Sequence, residues 1–419
     1  MTPHSFNSAG EPAPKLISIA GVPYFVIAFM ARLPFAMMVV GVLTLAVTAR
    51  GSIALGGLTS AAVGVGTALF GPLLGAAADR FGQRPVLVIA AVLNGTFLVL
   101  FCFVSYSALP DAALLLSAAA IGATAPQVAP MSRSRLVMMI TEQMPKERHS
   151  RTIGSMMAYE SAADETVFVF GPFIVGLLAS FLSPWAPLVI GAVLTVIFVG
   201  AFALHPSGSH ISADRDAAGQ APSSVRELFR ARLMVVVVGM LAVGFFFGTM
   251  LTALTSFMDD RGAPEQAGLL YGVMGIGSAA LALGVALLPA RFSLRARWLV
   301  FSGILFGGTL LLPVVHSVPT MLAALAVMGI GIGPTLVTQF SFGAAHSPRG
   351  RSATVMTMLG SSIIVGQSAG AAAAGEVAGT WGTAPALLLP LAAGAVALLS
   401  GVVNALLNRP QTGIVAQSR

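Results

Sequence analysis

Stretches of about 20 apolar residues, the length that carries a helix across a bilayer, recur twelve times along this chain. They fall near residues 17–48, 53–78, 86–107, 112–131, 153–181, 184–204, 233–257, 265–290, 298–315, 318–345, 352–377 and 384–406. Only 9% of the 419 residues are charged and 56% are hydrophobic, whereas a soluble chain carries about 25% charged residues. The segments between the apolar stretches leave no room for a soluble catalytic domain. The sequence predicts an all-α membrane protein of twelve transmembrane helices, with the lipid bilayer as its first partner.

With the amino terminus inside, 19 of the 22 Lys and Arg fall in inside segments, Arg50 and Arg261 fall outside, and Arg32 lies within a span. Retention of positive charge on the cytoplasmic side produces that asymmetry. It divides the chain into a tail at 1–16, a six-helix bundle at 17–204, a polar loop at 205–232, a second bundle at 233–406 and a tail at 407–419. Both tails and the central loop are expected to be cytoplasmic. Residues 1–16 lack the basic, apolar, small-residue order of a cleavable signal. Short loops and no large ectodomain are the pattern of a bacterial cytoplasmic membrane. The net charge of +7 is scattered over short loops, so no nucleic-acid surface is expected. Cys102 is the one cysteine, which excludes a disulfide framework and a cysteine metal site. No histidine falls within a predicted span beside a nucleophile, and no Gly-x4-Gly-Lys-Ser/Thr phosphate loop is present. The readings are therefore not an enzyme, no cofactor, no metal, and transport energy drawn from a gradient.

The two bundles repeat each other. Residues 57–81 align without gaps on 268–292, an offset of 211, with seven of 25 positions identical. Pro126 matches Pro334, and Arg151 with Met156 matches Arg351 with Met356. Parallel repeats of this kind occur in transporters.

Between the second and third apolar stretches runs Gly75-Ala-Ala-Ala-Asp79-Arg80-Phe81-Gly82-Gln83-Arg84. This resembles the G-x-x-x-D-R-x-G-x-R loop of the major facilitator superfamily, and the resemblance extends over twelve spans, the central loop and the duplication. It implies two pseudo-symmetric six-helix halves that rock about a central site, in a monomer. It also implies that Asp79 meets the amino-terminal dipole of the eleventh helix in the outward-open state. Gly75 and Gly82 would permit close approach and a tight turn, while Arg80 and Arg84 would hold the inner face. Ala290 stands where a second Asp79 would be, so the latch is one-sided. Gly171-Pro172-Phe-Ile-Val-Gly176 is similar to the end of the fifth-helix motif of exporters and antiporters in that superfamily, with Val167 and Val175 replacing two of its glycines, and Gly171 and Pro172 predict a bend where the two halves would pack. An arginine inside the fourth helix, which many drug–proton antiporters carry, is expected to be missing, because Arg133 and Arg135 fall at the cytoplasmic end of the predicted span.

Ionisable side chains in hydrocarbon cost at least about 2.5–3.5 kcal/mol each and mark function by default. Arg32, before Pro34, sits near the middle of the first span. Glu160, Asp164 and Glu165 crowd the fifth: the first two share a helix face and the third points about 100° away. Three acids and one arginine give an excess of two negative charges, which favours a shared proton, so protons are the expected coupling ion. Whether Arg32 is a counter-ion to Asp164 or a ligand for an anionic substrate stays open. For the small-molecule substrate, the cavity candidates are Pro126 and Gln127 in the fourth span, Phe246 and Met250 in the seventh, and Pro334, Thr335 and Gln339 in the tenth. Glycines and prolines in the fourth and tenth also bend helices, and Gly366 and Gly370 in the eleventh read as a packing face. The function these features favour is proton-coupled export of small amphipathic compounds. The alternatives are an importer or uniporter of a sugar or organic anion held by Arg32, and a non-transporting membrane sensor.

Overall fold

The computed structural model describes residues 16–208, 223–262, 267–289 and 291–408. The described residues form helices and connections, with no strand. Twelve helical segments are long and apolar enough to cross a membrane. Spans 1 to 6 are Val22–Arg50, Leu55–Phe81, Gln83–Tyr106, Asp111–Gln143, Lys146–Ala179 and Ala186–Leu204. Spans 7 to 12 are Ala231–Asp259, Leu270–Leu287, Leu294–Val314, Val318–Ala345, Ser352–Trp381 and Thr383–Leu407. All twelve expected spans are present. The end of the bundle that carries the segment between spans 6 and 7 is called the linker face below. Most of the tails, part of the linker and Ala290 lie outside the described residues.

Spans 1 and 4 are broken where the sequence removes backbone donors. Span 1 divides into Val22–Met30 and Leu33–Arg50, and Arg32 occupies the joint. Span 4 divides into Asp111–Ala123 and Val128–Gln143, with Pro126 in the gap. Proline supplies no N–H, so the carbonyl of Gly122 loses its helical partner; it accepts from the Ala125 N–H and from Thr67 Oγ1, both at 3.2 Å, and Asn94 Nδ2 donates to the carbonyl of Ile121 at 2.8 Å. Buried backbone groups in a membrane have no water to fall back on. Neighbouring side chains therefore hold the break open. Pro334 is tolerated differently, inside an unbroken Val318–Ala345 helix.

Glycine contacts set how closely the spans approach. Spans 7 and 11 run parallel, and a Cβ added at Gly244 or Gly248 would lie about 2 Å from the carbonyl oxygens of Ile363 and Gln367. In return, Gly366 and Gly370 face the carbonyls of Leu241 and Phe245. The packing face read from Gly366 and Gly370 is thus one side of a four-glycine contact. The duplication has the same physical basis. Gly122 of span 4 rests on the carbonyl of Val63 in span 2, and Gly333 of span 10, at the repeat offset of 211, rests on the carbonyl of Ser278 in span 8. Arg50 and Arg261 stand at that same offset. Arg50 donates to the carbonyls of Val104, Ser105 and Leu109 at 2.9–3.0 Å, and Arg261 donates to that of His316 at 3.0 Å. Each ties the turn after the first span of its half to the turn before the fourth. These two arginines lie away from the linker face because they cap carbonyls there.

Gly122→Ala is expected to destabilise the protein by about 1–3 kcal/mol, the usual range for overpacking. Gly307→Ala, with open space around its Cα, is expected to leave stability unchanged or raise it by up to about 1 kcal/mol. Thermal unfolding of the two variants in the same detergent measures the difference.

Candidate transport site

At the linker face, the last turn of span 2, which runs helical through Asp79 to Phe81 where a loop was expected, grips the start of span 11. Asp79 accepts hydrogen bonds from the backbone N–H groups of Ala353 (3.0 Å) and Thr354 (2.7 Å) and from the Thr354 hydroxyl. The N–H groups of a first helical turn have no intrahelical partner and carry the positive end of the dipole. A carboxylate there satisfies both. Close approach depends on a stripe of small residues along span 2: an added Cβ would meet Ser368 Oγ at Gly64, Ser361 Oγ at Gly71 and Thr357 Oγ1 at Gly75. Gly82, with φ +91°, makes the left-handed turn into span 3. Arg84 donates to the carbonyl of Leu204 at 3.1 Å at the end of span 6. Arg80 lies over the ring of Phe81.

Deeper in the bundle, the broken span 1 delivers Arg32 to span 5. Its Nη2 pairs with Glu160, and its Nε lies 3.1 Å from Asp164 Oδ1. Glu160 and Asp164 share the face expected from their spacing. Ser132 of span 4 donates to Glu160 Oε1 at 3.0 Å and also contacts the Tyr24 hydroxyl at 2.9 Å. The second oxygen of Asp164 binds Arg133 Nη2 at 2.6 Å. Arg32, Glu160 and Arg133 are almost wholly buried, and the Asp164 side chain keeps 22% of its exposure. Glu165 and Pro172 have side chains that lie outside the described residues.

Arg133 corrects the sequence reading. The fourth helix runs to Gln143, so Arg133 and Arg135 are inside the bundle, 2% and 0% exposed, and not at its end. The signal available in the sequence was Pro126: a helix restarted after it has room for four more turns. The second cation also changes the charge count. Counted with all three acids, the second cation lowers the expected excess from two negative charges to one; among the described side chains alone, Arg32 and Arg133 balance Glu160 and Asp164. Arg133 further stacks on span 10, its guanidinium carbon 3.8 Å from the centre of the Phe340 ring. It is thereby a charged contact between the two halves.

Arg135 organises a second network towards the linker face. It donates to Gln83 Oε1 (3.2 Å), the Phe202 carbonyl (3.1 Å) and Ser207 Oγ (3.0 Å). Burial and the positive Arg135 push His205 below the usual histidine range, and its Nδ1 accepts from the Ser207 N–H at 3.3 Å.

The remaining candidates separate. Gln127 satisfies itself locally, donating to the Ala125 carbonyl at 2.9 Å, and lies beside Gly71 of span 2. Pro126 forms the span 4 break. Phe246 and Met250 are fully buried in the apolar core. Thr335 donates to the carbonyl of Gly331, one turn back along the helix that contains Pro334. Gln339 is fully buried without a hydrogen-bond partner, close to Gly239. Gly171 packs on Ala36 of span 1 within the same half, and Gly176 has open space around it.

Comparison with known proteins places this arrangement in a class. The model of the Major Facilitator Superfamily matches residues 24–358, and the chain belongs to that superfamily. It is a multi-pass membrane transporter and not an enzyme. Among solved structures, the human organic anion transporter MFSD10 (TETRAN) aligns with a TM-score of 0.70 at 19% identity, covering 94% of this chain and 100% of that one. A bacterial homologue of the iron transporter ferroportin in an outward-facing state with soaked iron aligns at 0.69 and 15%, covering 91% and 98%. The proton:xylose symporter XylE bound to 6-bromo-6-deoxy-D-glucose aligns at 0.67 and 15%, covering 94% and 96%. At these identities the likeness is one of fold. No curated protein sequence matches the chain.

Hydrogen bonds to a charged acceptor contribute about 1.5–3 kcal/mol each. Asp79→Ala is therefore expected to shift the balance towards an open linker face by at least about tenfold. Spin labels at the exposed positions Arg84 and Arg349, one in each half, report it as growth of a longer-distance population.

Proposed function

We propose that the chain is a proton-coupled secondary active transporter of small amphipathic compounds, working as a monomer by alternating access with Asp164 as the proton-carrying group. The observation that carries this reading is the position of Asp164. It is a partly exposed carboxylate shared by two buried arginines from spans 1 and 4, one of which also touches span 10. Protonating it frees Arg133 from its described carboxylate partner. Breaking a buried ion pair costs several kcal/mol, and two transporter states differ by only a few. A proton at this position is therefore strong enough to bias the rocking of the halves.

The positive-inside pattern supports a cytoplasmic linker face with both termini on that side, and the proposed membrane is the cell membrane. The Asp79 contact then belongs to a state closed inwards. Its partners, the free N–H groups at the start of span 11, are those the superfamily resemblance implies for the outward-open form. Export corresponds to exchange of substrate for a proton, uptake to movement of both together. The sign of the pH change inside a vesicle distinguishes them.

The test uses purified protein in liposomes with an internal pH dye, challenged with cationic, neutral and anionic amphiphiles beside sugars and organic acids. Compound-evoked proton movement is expected for the wild type and lost in Asp164→Asn while the protein still inserts. Coupling at the wild-type rate in Asp164→Asn removes Asp164 from the mechanism.

A further inference from the structure

Asp164 is held by two arginines, one on each oxygen, the bridging arrangement by which guanidinium groups capture carboxylates and other oxyanions. Arg32 already has a second partner in Glu160. Arg133 has Asp164 and the face of Phe340. Three buried donors in the set, Arg32 Nε and Nη1 and Arg133 Nε, make no hydrogen bond, Arg32 Nε meeting Asp164 only as an ion pair at 3.1 Å. An unpaired buried N–H on a cation is costly. The site therefore has donor capacity that its own carboxylates do not fill.

We propose that Asp164 is an internal stand-in for an anionic substrate, and that an organic monoanion with an aromatic or apolar body takes its place between Arg133 and Arg32 when Asp164 is protonated. This deepens the proton-coupled reading above and rests on it. The described charges favour an anion. Span 1 faces Asp164 with Arg32 and span 4 with Arg133; its own helix supplies Glu160 and Tyr159, and also Glu165, whose side chain lies outside the described residues; spans 8 and 10 contain no charged residue. Among the described side chains the two arginines and two acids cancel with Asp164 ionised. With Asp164 neutral, Arg133 is left without a described carboxylate partner. A proton alone leaves that cation unpaired in a low-dielectric site, and an anion alone competes with Asp164 for it. Each binds well only with the other, which is reciprocal linkage. Phe340, 3.8 Å from the Arg133 guanidinium carbon, provides an apolar wall for the body of the anion. The coupling that follows is co-transport of proton and anion in one direction, in place of the exchange expected of an exporter.

The probe is naphthalene-1-sulfonate, which stays ionised and carries no proton across lipid by itself, with 1-naphthylmethylammonium as its cationic counterpart. Isothermal titration of the full chain in two buffers of different ionisation enthalpy gives affinity and protons exchanged. The expected result is uptake of about one proton per sulfonate bound by the wild type. Asp164→Asn, which mimics the protonated acid, is expected to bind sulfonate at least about tenfold tighter with no proton uptake, inside the 5–150-fold range of linked sites. Arg133→Gln is expected to lose sulfonate binding, and Arg133→Lys, which keeps the charge and serves if the glutamine variant does not fold, to retain part of it. Sulfonate binding that Asp164→Asn does not strengthen, including none in either protein, overturns the proposal. Binding of the ammonium probe with proton release, lost in Asp164→Asn, overturns the anion site and leaves proton coupling standing. Tighter sulfonate binding in Asp164→Asn without proton uptake by the wild type upholds the anion site and overturns proton coupling instead.

Discussion

Hydrocarbon offers no hydrogen bonds, and most of this structure follows from that. A polar group inside the bundle must find its partner in another part of the chain or lose several kcal/mol. Span 4 can break at Pro126 because Thr67 and Asn94 reach its freed carbonyls. Arg32 can sit at the joint of span 1 because Glu160 and Asp164 stand opposite. Each irregularity is held by side chains from a different span, so the site and the fold stabilise each other.

The same constraint explains how a rigid-looking bundle retains two states. Within a half, glycines bring backbones into contact, as between spans 7 and 11, and such packing does not deform gradually. Between the halves, close packing of the small residues of span 2 on span 11 is joined by polar contacts: Asp79 on the start of span 11, and Arg133 on Phe340. Polar contacts can be exchanged for water or substrate when the halves rock. One of them is structural. The other includes Arg133, whose carboxylate partner Asp164 is the group proposed to take up the proton.

The candidate site was partly legible in the sequence. Arg32, Glu160 and Asp164 were evident because a charge in an apolar run has few structural explanations, and the spacing of four placed both acids on one face. Arg133 was misplaced, since an apolar-run reading ends the fourth span near residue 131 and treats the following Ser-Arg-Ser-Arg as a loop. Helix length beyond Pro126 depends on what packs around it. Gln339 was singled out because a carboxamide in an apolar span needs a partner, and it lies buried beside Gly239 with that amide unpaired among the described residues.

What the sequence by itself determined is the number of spans, the internal duplication, and the loop motif that carries Asp79. All three are written locally, as length, hydrophobic content and residue order, and a bilayer reads those directly. The tertiary structure decided which charges meet. Arg32 and Arg133 lie about a hundred residues apart in the sequence and are joined through one carboxylate on a third helix, because a buried charge takes whichever partner the packing of spans brings within reach. That pairing sets two arginines against two carboxylates among the described side chains, the balance from which the proposed protonation of Asp164 starts.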